Sequence, residues 1–305
     1  MKVLFQFLVI CIFCSSMLGA EEKNTNGNSK KNNFLIRFSE YTYIPSEYYN
    51  IRGLSGYNLG EYSDQKPTKY NNRTPQFSFR YHIEKFNLGM EYSFFKLEQS
   101  ELTTGNIFIN PERNSITFNN VAFPNVIRRE NKLNITKDFE IGDNQKVWLG
   151  IGVRNIYKEI YRRLYTYRDQ IKTDTYGLQF LVRYQLQVFE NFFWTSSIEP
   201  FYTTGRRAEN NSPFLRDLNI GIPTGPNEYT YFYGYDFDTN FAYRFSENFS
   251  IVLGYNYIRT RVRSQFADRG LYYLPETNSI FTLPRNREGT DDNLFNYYMG
   301  IRGEF

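Results

Sequence analysis

Leu294-Phe295-Asn296-Tyr297-Tyr298-Met299-Gly300-Ile301-Arg302-Gly303-Glu304-Phe305 are the last residues of the chain, and their pattern decides the reading of the rest. One alternate set is Phe295, Tyr297, Met299, Ile301, Gly303 and Phe305. The other is Leu294, Asn296, Tyr298, Gly300, Arg302 and Glu304, mostly small or polar. Successive side chains of a β-strand point to opposite faces, so period two predicts a strand with one apolar, aromatic side.

The same alternation recurs upstream. It runs through Phe34–Tyr43, Gln76–His82, Leu88–Phe94, Arg128–Phe139 and Val147–Tyr157, then Tyr176–Leu186, Phe192–Tyr202, Tyr229–Tyr243 and Phe249–Tyr257. The clearest case sets Tyr176, Leu178, Phe180, Val182, Tyr184 and Leu186 against Gly177, Gln179, Arg183 and Gln185. The pattern is loose in the fourth segment, and Pro200 weakens the seventh. Four tight connections look alike, at Glu84-Lys85-Phe86, Gly142-Asp143-Asn144, Glu190-Asn191-Phe192 and Glu247-Asn248-Phe249. Each joins turn-forming residues to nearby aromatics. Five longer stretches alternate with them: roughly Ile44–Pro75, Glu98–Ile127, Lys158–Asp174, Thr203–Glu228 and Arg263–Asn293. Within a water-soluble domain, loops of that length would argue against the strand assignment.

Composition points the same way. Mean hydropathy is −0.58, yet aromatics are 19% of the chain, with 27 Tyr and 29 Phe. That combination fits strands that alternate lipid-facing and lumen-facing residues, with rings at both membrane interfaces. No apolar stretch is long enough for a transmembrane helix. Met1–Ala20 has the form of a cleaved secretory signal: Lys2, the apolar run Val3–Phe13, then Leu18-Gly19-Ala20 before Glu21-Glu22. A lipoprotein site needs a small residue before Cys, but Cys11 follows Ile10 and Cys14 follows Phe13. Both cysteines lie in this segment, so the exported chain would carry no disulfide. Residues 21–32, charged and Asn-rich, read as a flexible periplasmic lead-in, leaving 33–305 as one domain. The net charge of +4 is too small to suggest nucleic acid.

Tyr297, Met299, Ile301, Gly303 and Phe305 resemble the C-terminal insertion signal of bacterial outer-membrane β-barrels. The resemblance implies a bacterial outer-membrane location. It also implies a closed antiparallel transmembrane β-barrel, with short turns in the periplasm and long loops outside. Periplasmic chaperones and the barrel-assembly machinery would be its partners, together with outer-membrane lipid and glycolipid. The segments count to ten strands. Two similar stretches, Pro111–Ile116 and Pro275–Ile280, sit between short β-type runs. They read as hairpin tips outside the membrane, and twelve strands is the alternative if such hairpins enter the bilayer. A monomer without cofactor or metal is the expectation.

Alternation assigns the basic residues Arg37, Arg80, Arg128, Lys132, Arg154, Arg183, Arg244 and Arg302 to the interior. It places Glu91, Glu130, Glu199, Asp236, Asp238 and Glu304 there too. So many charges in a narrow lumen must be paired or hydrated. They form either an ion-pair plug or a small water channel that weakly prefers anions. A second group falls at strand tops: Arg162, Arg163, Arg168, Arg206, Arg207, Arg259, Arg261 and Arg263, accompanied by Tyr157, Tyr161, Tyr165, Tyr167 and Tyr257. Guanidinium groups suit phosphate, so these are candidates for contact with a phosphorylated glycolipid; solvated strand tops are the plain alternative.

The chain resembles omptin-like proteases in length and strand number, and those use Asp and His at the extracellular rim. The single histidine, His82, falls at the periplasmic end instead. Barrel phospholipases and lipid A deacylases have Ser two residues after their His, where this chain has Glu84. Enzymatic activity is therefore not expected. Surface adhesion or ligand binding, or a narrow porin, remain as the readings of function.

Overall fold

The structure, a computed structural model, describes residues 32–46, 72–83, 86, 88–110, 115–142, 144–164, 167–210, 228–264, 271–274, 279–282 and 290–305. The signal segment and all of the lead-in but Asn32 lie outside the described residues.

Ten strands close into one antiparallel barrel. They are β1 (Asn33–Ile44), β2 (Asn72–Ile83), β3 (Leu88–Asn110), β4 (Ser115–Glu140), β5 (Gln145–Leu164), β6 (Tyr167–Phe189), β7 (Phe192–Asn210), β8 (Glu228–Arg244), β9 (Phe249–Ser264) and β12 (Thr290–Glu304). Their order around the ring is β1-β12-β9-β8-β7-β6-β5-β4-β3-β2. Closure follows the register Phe34↔Gly303 through Tyr43↔Leu294. Asn32 and Phe305 extend it by exchanging backbone hydrogen bonds of 3.2 and 3.0 Å. Asn32, read from sequence as the end of the lead-in, is thus hydrogen-bonded to the last residue of the chain. Closure satisfies the backbone groups of both terminal strands, as a lipid environment requires.

Strands β10 (Leu271–Leu274) and β11 (Ser279–Thr282) pair only with each other. They form a separate hairpin, and the barrel has ten strands, not twelve. The four tight connections expected from sequence all lie at the end that holds Asn32 and Phe305. At one of them Gly142 has φ of 138°, a conformation that favours glycine. At another, the Glu304 N–H donates to the Asn248 carbonyl at 2.8 Å, setting the C-terminus beside the β8–β9 turn.

Several stretches expected to be loops are strand. β3 and β4 remain paired out to Asn110↔Ser115, so most of Glu98–Ile127 is a long hairpin. Lys158–Asp174 is nearly all strand, since β5 runs to Leu164 and β6 starts at Tyr167. β7 likewise continues to Asn210. The hairpin tips 111–114 and 275–278 lie outside the described residues.

These extensions were hidden because the alternation inverts along a strand. Near the periplasmic end, β5 exposes Leu149, Ile151 and Val153. Higher up, the same strand buries Ile156 and Ile160 inside the barrel and turns Tyr157, Glu159 and Tyr161 outward. β9 does likewise, exposing Ile251 and Leu253 below and burying Ile258 and Val262 above. Where lipid surrounds the wall, apolar groups face out. Where water surrounds it, they face in, as in any soluble sheet. The boundary between the two halves marks the outer edge of the membrane band.

Rings border that band. Phe34–Phe305, Phe192–Phe241 and Phe245–Phe249 have centroids 6.4, 5.6 and 6.4 Å apart near the periplasmic edge. Tyr235–Tyr257 and Tyr255–Tyr297, at 6.2 and 5.2 Å, mark the outer edge. Amphipathic rings are suited to such interfaces.

Candidate functional site: the charged interior

Inward positions in the upper barrel build an apolar cluster. It includes Tyr43, Leu97, Val126, Ile156, Phe201, Phe232 and Leu294, all nearly inaccessible to water. Set among these groups is a chain of charges. Arg128 of β4 binds Glu130, with Nη2–Oε1 at 2.6 Å, and also binds Asp292 of β12. Glu130 is shared with Arg154 of β5, whose Nε donates at 2.7 Å. Arg154 then reaches Asp236 of β8 at 3.4 Å, and its guanidinium lies 4.0 Å from the centre of the Phe201 ring. Lys132 bridges Asp236 and Glu199, the latter at 2.8 Å. Asp236 also accepts from Asn256 at 2.5 Å.

Asp292 is the hub of the upper chain. Besides Arg128 it takes Lys158 of β5, the Tyr43 hydroxyl at 3.2 Å and the Ser46 N–H at 3.0 Å. β5 and β12 are five places apart either way round a ring of ten. A direct Lys158–Asp292 ion pair therefore joins opposite walls of the barrel. The side chains of Arg128, Glu130, Arg154 and Asp292 are 0% exposed. Each of these charges has partners of opposite sign, which burial in such a setting demands.

Nearer the periplasm the pairs are wetter. Arg183 grips Glu91 with two bonds of 2.8 and 2.9 Å, and Arg80 joins Glu91 at 3.4 Å and Asp138 as well. Arg37 pairs with Asp238 at 2.5 Å, and the Tyr298 hydroxyl donates to the same carboxylate at 2.8 Å. Arg244 meets Glu304 at 3.0 Å, with side chains 36% and 18% exposed. Arg302 faces the same end.

All fourteen interior residues expected from alternation point inward. Sequence reading missed Lys158, Asp292 and Asp138. Lys158 and Asp292 sat in stretches taken for loops, although each keeps the parity of its strand: Lys158 follows Arg154 and Ile156, and Asp292 precedes Leu294. Asp138 continues the inward set of β4 beyond Asn134 and Thr136.

The outer Arg group divides. Arg206, Arg259, Arg261 and Arg263 point outward, but Arg207 is buried inside. Adjacent strand residues face opposite ways, so Arg206 and Arg207 could never share a surface. Arg162, Arg163 and Arg168 lie on β5 and β6, outside the residues whose side chains are described. His82 is buried on the inward face of β2 at the periplasmic end, and its backbone N–H donates to Asn32 Oδ1 at 2.8 Å.

A closed ten-strand barrel with a lipid-facing apolar band and a charged interior defines an integral outer-membrane β-barrel protein. The chain belongs to the family described as "Predicted outer membrane protein, Leptospiraceae", which matches residues 28–305. Its place is the outer membrane. Among solved structures it is similar to the outer membrane protease OmpT from Escherichia coli, at 10% identity and a TM-score of 0.53, covering 93% of this chain and 99% of that one. That likeness shows the fold alone. A Pseudomonas aeruginosa FadL homologue matches at 7% identity and a TM-score of 0.38, covering 91% of each chain. The Pseudomonas putida toluene transporter TodX matches at 7% and 0.35, covering 91% of this chain and 90% of that one. No curated protein matches the chain.

Proposed function

We propose that the protein is a non-conducting, surface-exposed barrel whose packed interior holds a rigid wall for extracellular hairpins that adhere to, or bind, an outside surface. The Lys158–Asp292 ion pair, spanning opposite walls within apolar packing, is the observation that carries this reading. A water path would have to break it and hydrate every group around it. The β3–β4 hairpin, paired far beyond the membrane band, is the most extended platform among the described residues. In this reading no reaction is catalysed. The lone His82 lies at the periplasmic end, away from any extracellular groove.

Shortening the hairpin by residues 105–120 tests the proposal. Cells displaying the shortened protein should lose attachment to immobilised extracellular matrix while keeping normal barrel levels in the outer membrane. Unchanged attachment would refute adhesion through this hairpin.

One observation favours a narrow porin as the second reading. The periplasmic half of the interior is partly exposed, with Arg37, Arg80, Arg183, Arg244 and Arg302 against Glu91, Asp138, Asp238 and Glu304. It would conduct only if the upper half opened, and then with a preference for anions. Liposome swelling distinguishes the two: sugar uptake through the refolded protein supports the porin, and none supports the platform.

A further inference from the structure

Above the membrane band, the outward face of β7, β8 and β9 is built from Arg and Tyr in register. Across β8 and β9, Tyr235 pairs with Arg259, Tyr233 with Arg261, and Tyr231 with Arg263. Across β7 and β8, Arg206 pairs with Tyr229, and its guanidinium lies 6.0 Å from that ring centre. Just below come Tyr255 and Tyr257, then Leu253 and Ile251 in the apolar band. The guanidinium row therefore sits immediately above the aromatic girdle, at the level of outer-leaflet headgroups.

Along the rest of the outward face, the pairing at a comparable level is different. On β3, Lys96 is 2.9 Å from Glu98. Across β5 and β6, Lys172 is 3.8 Å from Glu159, and Asp174 accepts from Asn155 at 2.7 Å. Lys96 and Lys172 there have carboxylates within 4.0 Å, and Arg129 of β4 lies 4.1 Å from the centre of the Tyr157 ring. Around the arginines, Asp291 of β12 is 3.6 Å from Arg261, and Asp174 of β6 is the cross-strand neighbour of Arg206. The row of three outward guanidiniums, Arg259, Arg261 and Arg263, is the longest on one strand among the described side chains. Protection of a sheet edge does not account for it, because β7, β8 and β9 are each paired on both sides.

We propose that this Arg–Tyr ladder is a docking site for the headgroup of an outer-leaflet glycolipid bearing more than one phosphate. Alternate residues on a strand are about 6.6 Å apart, so Arg259, Arg261 and Arg263 spread their charge over about 13 Å. That length suits two anionic groups on one headgroup better than a single phosphate. Guanidinium forks match phosphate oxygens two bonds at a time, and the Tyr hydroxyls and ring faces offer contacts to sugar. The acyl chains would then lie along Leu253 and Ile251.

The test uses the refolded full-length barrel in neutral detergent micelles doped with a bisphosphorylated diglucosamine glycolipid, with retained lipid counted by native mass spectrometry. The Arg259→Gln/Arg261→Gln/Arg263→Gln variant should retain about tenfold less, the scale of losing one charge-assisted contact. Lys96→Gln/Arg129→Gln, on β3 and β4 across the ring, should retain as much as the unaltered protein. Replacing the three arginines by Lys should give an intermediate result, because charge stays and the fork is lost. Dephosphorylated glycolipid should not be retained, and millimolar inorganic phosphate or heparin should not displace the bound lipid. Heat-dependent gel mobility reports whether each variant is folded; if the triple variant is not, Arg263→Gln alone should show a smaller loss. Equal retention by folded ladder variants, retention of the dephosphorylated lipid, or displacement by free phosphate or heparin would overturn the proposal.

Discussion

The two halves of the barrel interior use the same chemistry in different solvents. Near the periplasm, Arg244–Glu304 and Arg183–Glu91 are ion pairs with part of each side chain in water. In the upper half, Arg128, Glu130, Arg154, Lys158 and Asp292 are enclosed by Leu97, Val126, Ile156 and Leu294. Water screens the first set and rescues any partner left alone. The second set has no such rescue, so each charge is held in place by the cost of exposing the others. The difference shows that an ion pair's contribution is set by what surrounds it.

The largest expected effect comes from the hub. Asp292→Ala leaves Arg128 with one carboxylate and removes the acid that Lys158 binds. It should destabilise the barrel by about 3–5 kcal/mol, measured by urea unfolding in lipid vesicles. If Arg244→Ala costs as much, the contrast between halves is wrong. Next come substitutions on the outside that locate the membrane band. Ile151→Arg should cost about 2–4 kcal/mol as a mid-bilayer charge, whereas Tyr161→Arg should cost about 0–1 kcal/mol. Equal costs would mean the band is misplaced. Glu130→Gln should be milder than the hub substitution, about 1–3 kcal/mol, because Arg128 keeps Asp292 and Arg154 keeps Asp236. Smallest is Arg244→Gln, at about 0–1 kcal/mol, and raising the salt should shrink that difference further.

The ring of strands was legible because lipid imposes a simple rule on alternate positions. Phe34–Tyr43 and Leu294–Phe305 carry it plainly, and they pair in the structure. Turn residues such as Gly142 and Asn248 fixed the periplasmic end equally well. The top of the barrel was harder to read because its outer surroundings change from hydrocarbon to water partway along each strand. At Val153–Ile156 and Leu253–Ile258 the apolar set passes from one face to the other, and a scan for outward apolar residues stops there. Following strand parity through that inversion would have placed Lys158 and Asp292 inside, and Arg207 with them. Which charges meet across the lumen was beyond the sequence, because Lys158 and Asp292 are 134 residues apart and meet only through barrel closure.

The proposal that the upper interior is sealed has one decisive test. Refolded protein is inserted into planar lipid bilayers and current is followed over a range of voltages of both signs. The unaltered protein should leave the baseline flat, with opposite walls joined at Lys158 and Asp292. Discrete, anion-preferring conductance steps from the unaltered protein would contradict a closed interior.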